Sequence, residues 1–141
     1  MPAQSEHIEQ VTLMHMLGIV AAEWPEVRLM FAIPNGGARH PAVAGKLKAE
    51  GVKAGVPDLL LPVARGGYHG LFIEMKARKG GRASPEQKEW LAELTLKGYM
   101  CEICHGAEEA FATIMMYLEV EPSSAARMRD LVGIMSAGRD Q

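Results

Sequence analysis

The 141-residue chain predicts an α/β protein with a mixed central β-sheet flanked by helices. Three observations carry that prediction. Two short apolar runs, D-L-L-L-P-V and L-F-I-E-M-K, are joined by a connector with two glycines, which makes a hairpin. S-P-E-Q then opens a helix, and the apolar run after that helix returns as a further strand. Segments of helical period stand at both ends, so helices cover the sheet in a layered α/β sandwich.

In chain order, Ser5 to about Ala22 reads as an amphipathic helix. Its inner side is expected to carry Ile8, Val11, Met14 or His15, and Gly18 to Ile19. Arg28 to Ile33 is expected as a strand, ended by the turn Pro34-Asn35-Gly36-Gly37. Pro41 to Glu50 is a short basic helix closed by Gly51. Ser84 is an N-cap with Pro85 at the first helical position and Gln87 at the capping-box position; that helix runs to Lys97 and stops at Gly98. Tyr99 to His105 is a strand and Ala107 to Leu118 a helix. The composition changes at Glu121, which divides a domain over 1–120 from a tail over 121–141. In the tail, Ala125, Met128, Val132 and Met135 would share one helical stripe.

At this length the chain is one domain with room for a proper core. No apolar run is long enough to span a membrane, and M-P-A-Q-S-E-H lacks the basic start and apolar core of a signal peptide. With only two cysteines, the expected location is a reducing cytoplasm, without disulfide scaffolding and without membrane partners. Cys101-Glu102-Ile103-Cys104-His105 matches the c-type haem attachment string. In a strand its two cysteines face opposite sides, so core thiols are the expected reading.

Charge is uneven. From Ile33 to Trp90 there are ten basic and five acidic residues, against five basic and twelve acidic in the flanks. A positive centre in a chain of net charge −2 suits contact with a phosphate backbone. Arg39, beside the glycine turn, and Lys46, Lys48 and Lys53 are candidate nucleic-acid contacts, as are Arg82 and Lys88.

The hairpin itself contains acids. In L-F-I-E-M-K, alternation sends Glu74 and Lys76 to one side and Leu71, Ile73 and Met75 to the other. If the hairpin turns about Gly66, residues whose numbers sum to 132 are opposed, and Asp58 meets Glu74. Directly opposed residues have Cβ atoms roughly 4.5–5.5 Å apart. Two carboxylates that close repel unless one is protonated or a cation lies between them. Mg²⁺ or Mn²⁺ accepts such a pair and takes phosphate oxygen as a further ligand. Lys76 would point into the same site, placed to act on an attacking water or on charge at phosphorus. A lone acid in a strand is ordinarily half of a salt bridge; Pro-Asp, a hairpin-length gap and Glu-x-Lys together are not so readily explained.

These residues resemble the PD-(D/E)xK nuclease superfamily. I-P-N-G-G-A-R, G-V-K-A-G-V-P-D-L-L-L-P, G-Y-H-G-L-F-I-E-M-K and S-P-E-Q-K-E-W-L, in that order, resemble its VRR-NUC branch, in particular small stand-alone members from bacteria and phages. The likeness runs from about Ser5 to Leu118. It implies a restriction-endonuclease-like αβββαβ core and metal-dependent hydrolysis of DNA, with Asp58, Glu74 and Lys76 as the central residues. It further implies the Met75 carbonyl as a metal ligand, a helical acid that falls on Glu6 or Glu9, and Gln87 near the metal. Stand-alone relatives imply a homodimer acting on four-way or branched junctions. A non-selective or restriction-type endonuclease, or an inactive nucleic-acid-binding module, is the alternative.

Overall fold

The computed structural model describes residues 2–34 and 40–119. Arg39, most of the turn after Pro34 and the expected helix in 121–141 lie outside the described residues.

The first helix, α1, spans Pro2–Val20. Its buried stripe is Leu13 and Leu17, with Met16 and Val20 packed beside them. This corrects the expected inner face: Ile8, Val11 and Ile19 are 53%, 42% and 80% exposed, and Met14 also points outward. The helix carries apolar residues on two sides, so a 3.6-residue period fits either. Pro25–Leu29 then forms a 3-10 helix that buries Val27. Its closing bond, Met30 N–H to Val27 O, draws Arg28 and Leu29 out of extended conformation. The strand β1 is therefore only Phe31–Ala32, shorter than Arg28 to Ile33. The helix α2 follows at Pro41–Ala49.

The sheet has the order β1-β2-β3-β4, with β2 at Leu59–Leu61, β3 at Leu71–Lys76 and β4 at Met100–His105. β1/β2 and β2/β3 are antiparallel and β3/β4 is parallel, which makes the sheet mixed. In β2/β3, Leu59 pairs with Ile73, Leu60 with Phe72 and Leu61 with Leu71. Every pair sums to 132, and one further step sets Asp58 across from Glu74. The turn itself is centred half a residue later. Gly66 and Gly67 both have positive φ, and Arg65 exchanges backbone bonds with Tyr68. The extra residue is absorbed on the first arm, where Val63 N–H bonds back to Leu61 O around Pro62. Proline has no N–H to lose at such an irregularity. Without it Asp58 would lie across from Met75.

Helix α3, Pro85–Leu96, returns the chain to β4, and Gly106 leads into α4, Ala107–Glu119. Leu71, Ile73 and Met75 share a core with Leu13 and Leu17 of α1 and Ile114 of α4. Each such fully buried aliphatic side chain contributes roughly 1.5–3 kcal/mol. The opposite face of β3 is covered as well, Phe72 by Tyr99, Glu74 by Gln87 of α3 and Lys76 by the Gly81 segment, so all six β3 residues are buried. Among the described residues no helix is long and apolar enough to cross a membrane.

Candidate active site

β2 and β3 deliver their functional residues to one end of the sheet. Asp58 immediately precedes β2, and its main-chain carbonyl accepts from Ile33 N–H at 2.8 Å, which fixes it to the end of β1. Its Oδ2 accepts from Met75 N–H at 2.8 Å. Glu74 is 2% exposed and Lys76 is 7% exposed. The Lys76 ammonium lies 3.4 Å from Glu74 Oε2.

Gln87 joins this group from α3. Sequence alone gave it two competing explanations, a cap and a site residue; the side chain makes both contacts. Its Oε1 accepts from Ser84 N–H at 2.8 Å, while Ser84 Oγ accepts from Gln87 N–H at 3.1 Å, completing the capping box. Its amide nitrogen is thereby turned to Glu74 Oε2, to which it donates at 2.7 Å. The cap sets the orientation of the site contact.

Glu74 Oε1 is buried and finds no hydrogen-bond donor among the described residues. An acceptor left so costs about 1–3 kcal/mol, and more when charged. Burial, followed by the negative charge of Asp58, pushes the Glu74 carboxyl up to about 8, with Lys76 pulling the other way. Burial likewise raises Asp58, against the Met75 N–H, a hydrogen bond with the Glu74 carboxyl when that holds its proton, and the Lys76 charge. Two acids in one dry site with an unsatisfied hard oxygen fit a small divalent cation, which would favour both charged forms at once. The donors are all oxygen, the set that suits Mg²⁺ or Mn²⁺.

The helical acids are placed differently. Both Glu9 oxygens are committed: Oε1 accepts from Ala107 N–H at 2.7 Å and Oε2 from Arg78 Nε at 2.9 Å. The Ala107 bond, first among its partners, holds the Glu9 carboxyl below its ordinary value. Glu9 is thus the cap of α4 and a clamp on the chain after β3, rather than an available ligand. Glu6 is half-buried, on the α1 stripe that leads to Leu13 and Leu17, and makes no hydrogen bond or ion pair among the described residues. Neither joins Asp58 and Glu74 in a cluster: no three His, Cys, Asp or Glu side chains gather for a metal among the described residues. Lys46, Lys48, Lys53, Arg82 and Lys88 are all exposed.

Cys104 lies in the core with its thiol pushed up to about 11 by burial, and Cys101 is on the other face of β4. They share no site.

Two contributors escaped the sequence reading. A Cβ at Gly81 would come within 3.0 Å of the Lys76 Cβ, so this residue lets the 77–84 segment close over the lysine stem. A Cβ at Gly55, where φ is +90°, would meet Glu86 and Trp90 at 3.0 Å, and the Trp90 indole N–H donates to Ala54 O. The loop before Asp58 is thereby fastened to α3. The G-G pair at Gly80-Gly81 and the A-G pair at Ala54-Gly55 are the visible signals, but glycine reports only that space is short, not what fills it.

Two acids and a lysine, brought to one end of a mixed sheet with helices on both sides, have the arrangement of the PD-(D/E)xK motif. The chain belongs to the VRR-NUC family: the VRR-NUC domain model matches residues 20–108. A solved structure described as a VRR_NUC domain protein is 30% identical, with a TM-score of 0.58 over 76% of this chain and 88% of its own. No curated protein matches. The protein is thus a nuclease by family, and the family match begins after Glu6 and Glu9.

Proposed function

We propose that this nuclease is a Mg²⁺- or Mn²⁺-dependent endonuclease that hydrolyses phosphodiester bonds in DNA, selects branched or four-way junctions, and works as a homodimer. The observation that carries the metal-dependent reading is the buried, unsatisfied Glu74 Oε1 beside Asp58. Asp58 and Glu74 hold the cation, with the Met75 carbonyl as a further oxygen donor. The cation supplies Lewis-acid polarisation of a phosphate oxygen and a more acidic water. Gln87 keeps Glu74 in one orientation, so the carboxylate does not need to reorganise when substrate enters. Lys76, packed against the Gly81 segment, either orients the attacking water as an ammonium that offsets charge building on phosphorus, or takes the water's proton as the free amine.

Lys46, Lys48, Lys53, Arg82 and Lys88 supply phosphate contacts, with Arg39 beside them in sequence. The outward stripe Ile8, Val11 and Ile19 of α1 supports the homodimer: an apolar helix face exposed among the described residues is what a two-fold contact would bury. Two sites on a two-fold axis would suit a two-fold junction. The test incubates purified protein with labelled four-way junction, linear duplex and single-stranded DNA, with Mg²⁺, Mn²⁺ or EDTA, beside Lys76→Ala. Metal-dependent cutting of the junction alone, lost in the variant, is expected. Equal cutting of all three would remove the selectivity; tight binding without cutting would indicate an inactive module.

A further inference from the structure

We propose that the cleft between α2 and the start of α3 binds one unpaired nucleotide of the substrate, its base inside and its phosphate at the rim. The proposal rests on the nuclease reading and adds how branched DNA is distinguished from plain duplex. Two clefts of ≈ 480 and ≈ 440 Å³ adjoin here, sharing Val52 and Lys53. Each is of the size that takes a small organic ligand. Ala44 and Leu47 wall the first; Ile33, Val56 and Trp90 wall the second.

The chemistry is that of a nucleotide. Lys48 and Lys53 put exposed cations beside apolar walls, as a phosphate joined to a flat apolar ring requires. Trp90 has spent its N–H on Ala54 O, so its ring remains for packing. Glu86 and Glu50 also line the clefts. Carboxylates suit the exocyclic amino groups of a base and work against a bare phosphate filling the space. A paired base cannot use the cleft, because its faces are stacked and its edge is taken; an unpaired one can.

Position links the cleft to the cutting site. Glu86 lines it, and the next residue, Gln87, donates to Glu74. Gly55 lies against Glu86 and Trp90, three residues before Asp58. A nucleotide held there registers the strand relative to the metal-binding acids without reading sequence.

The test uses 2-aminopurine, placed either unpaired at a fork or paired within a duplex, with Ca²⁺ replacing Mg²⁺ so that binding is read without cutting. Wild-type protein is expected to change the fluorescence of the unpaired probe and to bind it roughly tenfold more tightly than the paired one, as stacking of a single base allows. Val52→Trp, which fills the cleft, should bring the two affinities together while leaving duplex affinity unchanged. Lys53→Glu, at an exposed position that does not threaten folding, should weaken both and also erase the ratio. Equal affinities in the wild type, or a preference that survives Lys53→Glu or a folded Val52→Trp, would overturn the proposal. A protein that shows the preference but never cuts with Mn²⁺ would leave the cleft standing and remove the endonuclease reading; cutting without the preference would do the reverse.

Discussion

Glu74→Gln should make the metal-free protein more stable at alkaline pH, although it removes a residue proposed as essential. In the folded chain burial and Asp58 raise the Glu74 carboxyl from 4.5 to about 8. Below pH 4.5 the folded and unfolded chains both hold the proton, and the acid costs nothing. As the pH climbs from 4.5 the unfolded chain ionises first, so folded-state stability is lost progressively and the loss is complete above about pH 8. At 1.36 kcal/mol per pKa unit, the deficit is on the order of 5 kcal/mol. For a domain of this size that is on the order of 10 °C in Tm. Glutamine keeps an acceptor for the Gln87 amide and removes the titration. Thermal melts of both proteins in EDTA, from pH 5 to 9, should therefore show the wild type falling relative to the variant. Excess Mn²⁺ should restore the wild type alone. If the two curves stay parallel, Glu74 ionises freely and the site is wet, and the case for a cation loses its electrostatic basis.

Three further outcomes follow from the same geometry. Lys76→Ala should lower the cleavage rate at least 100-fold, the scale of a general acid–base contribution, while Mn²⁺ still raises Tm. Glu9→Gln should cost about 1–2 kcal/mol in urea unfolding by weakening the α4 cap and the Arg78 pair, with no change in Mn²⁺ affinity. Gln87→Ala should lose about 1 kcal/mol from the capping box and also weaken Mn²⁺ binding, whereas Ser84→Ala, which breaks only the cap, should mainly lower stability. Calorimetric titration beside urea melts separates the two effects.

The fold class and the gathering of Asp58, Glu74 and Lys76 at one end of the sheet were legible because they rest on local chemistry. The capping box at Ser84, Gly98 closing α3 and period-two alternation in β3 are each set by neighbouring residues. The Asp58–Glu74 register was legible too, but by a compensation the sequence does not announce: the turn is half a residue later than assumed, and the Pro62 irregularity restores the sum. The buried face of α1 was misread because Ile8, Val11 and Ile19 satisfy helical periodicity as well as Leu13 and Leu17 do. Only the third dimension chooses between them. Contacts between distant segments, such as Glu9 capping α4 at Ala107 or Gly81 closing on Lys76, leave no periodic trace. β1 was overextended because a 3-10 bond at Met30 overrode the extended propensity of Arg28 and Leu29.

The central claim is that Asp58 and Glu74 form one cation site, and calorimetric titration of Mn²⁺ into the apo protein at pH 7 tests it most directly. In two buffers of different ionisation enthalpy, binding should release about one proton per ion, because Glu74 must give up the proton it holds. The release should vanish at pH 9, and binding itself should be lost in Asp58→Asn. Proton-independent binding at pH 7, or unchanged affinity in Asp58→Asn, would contradict the account.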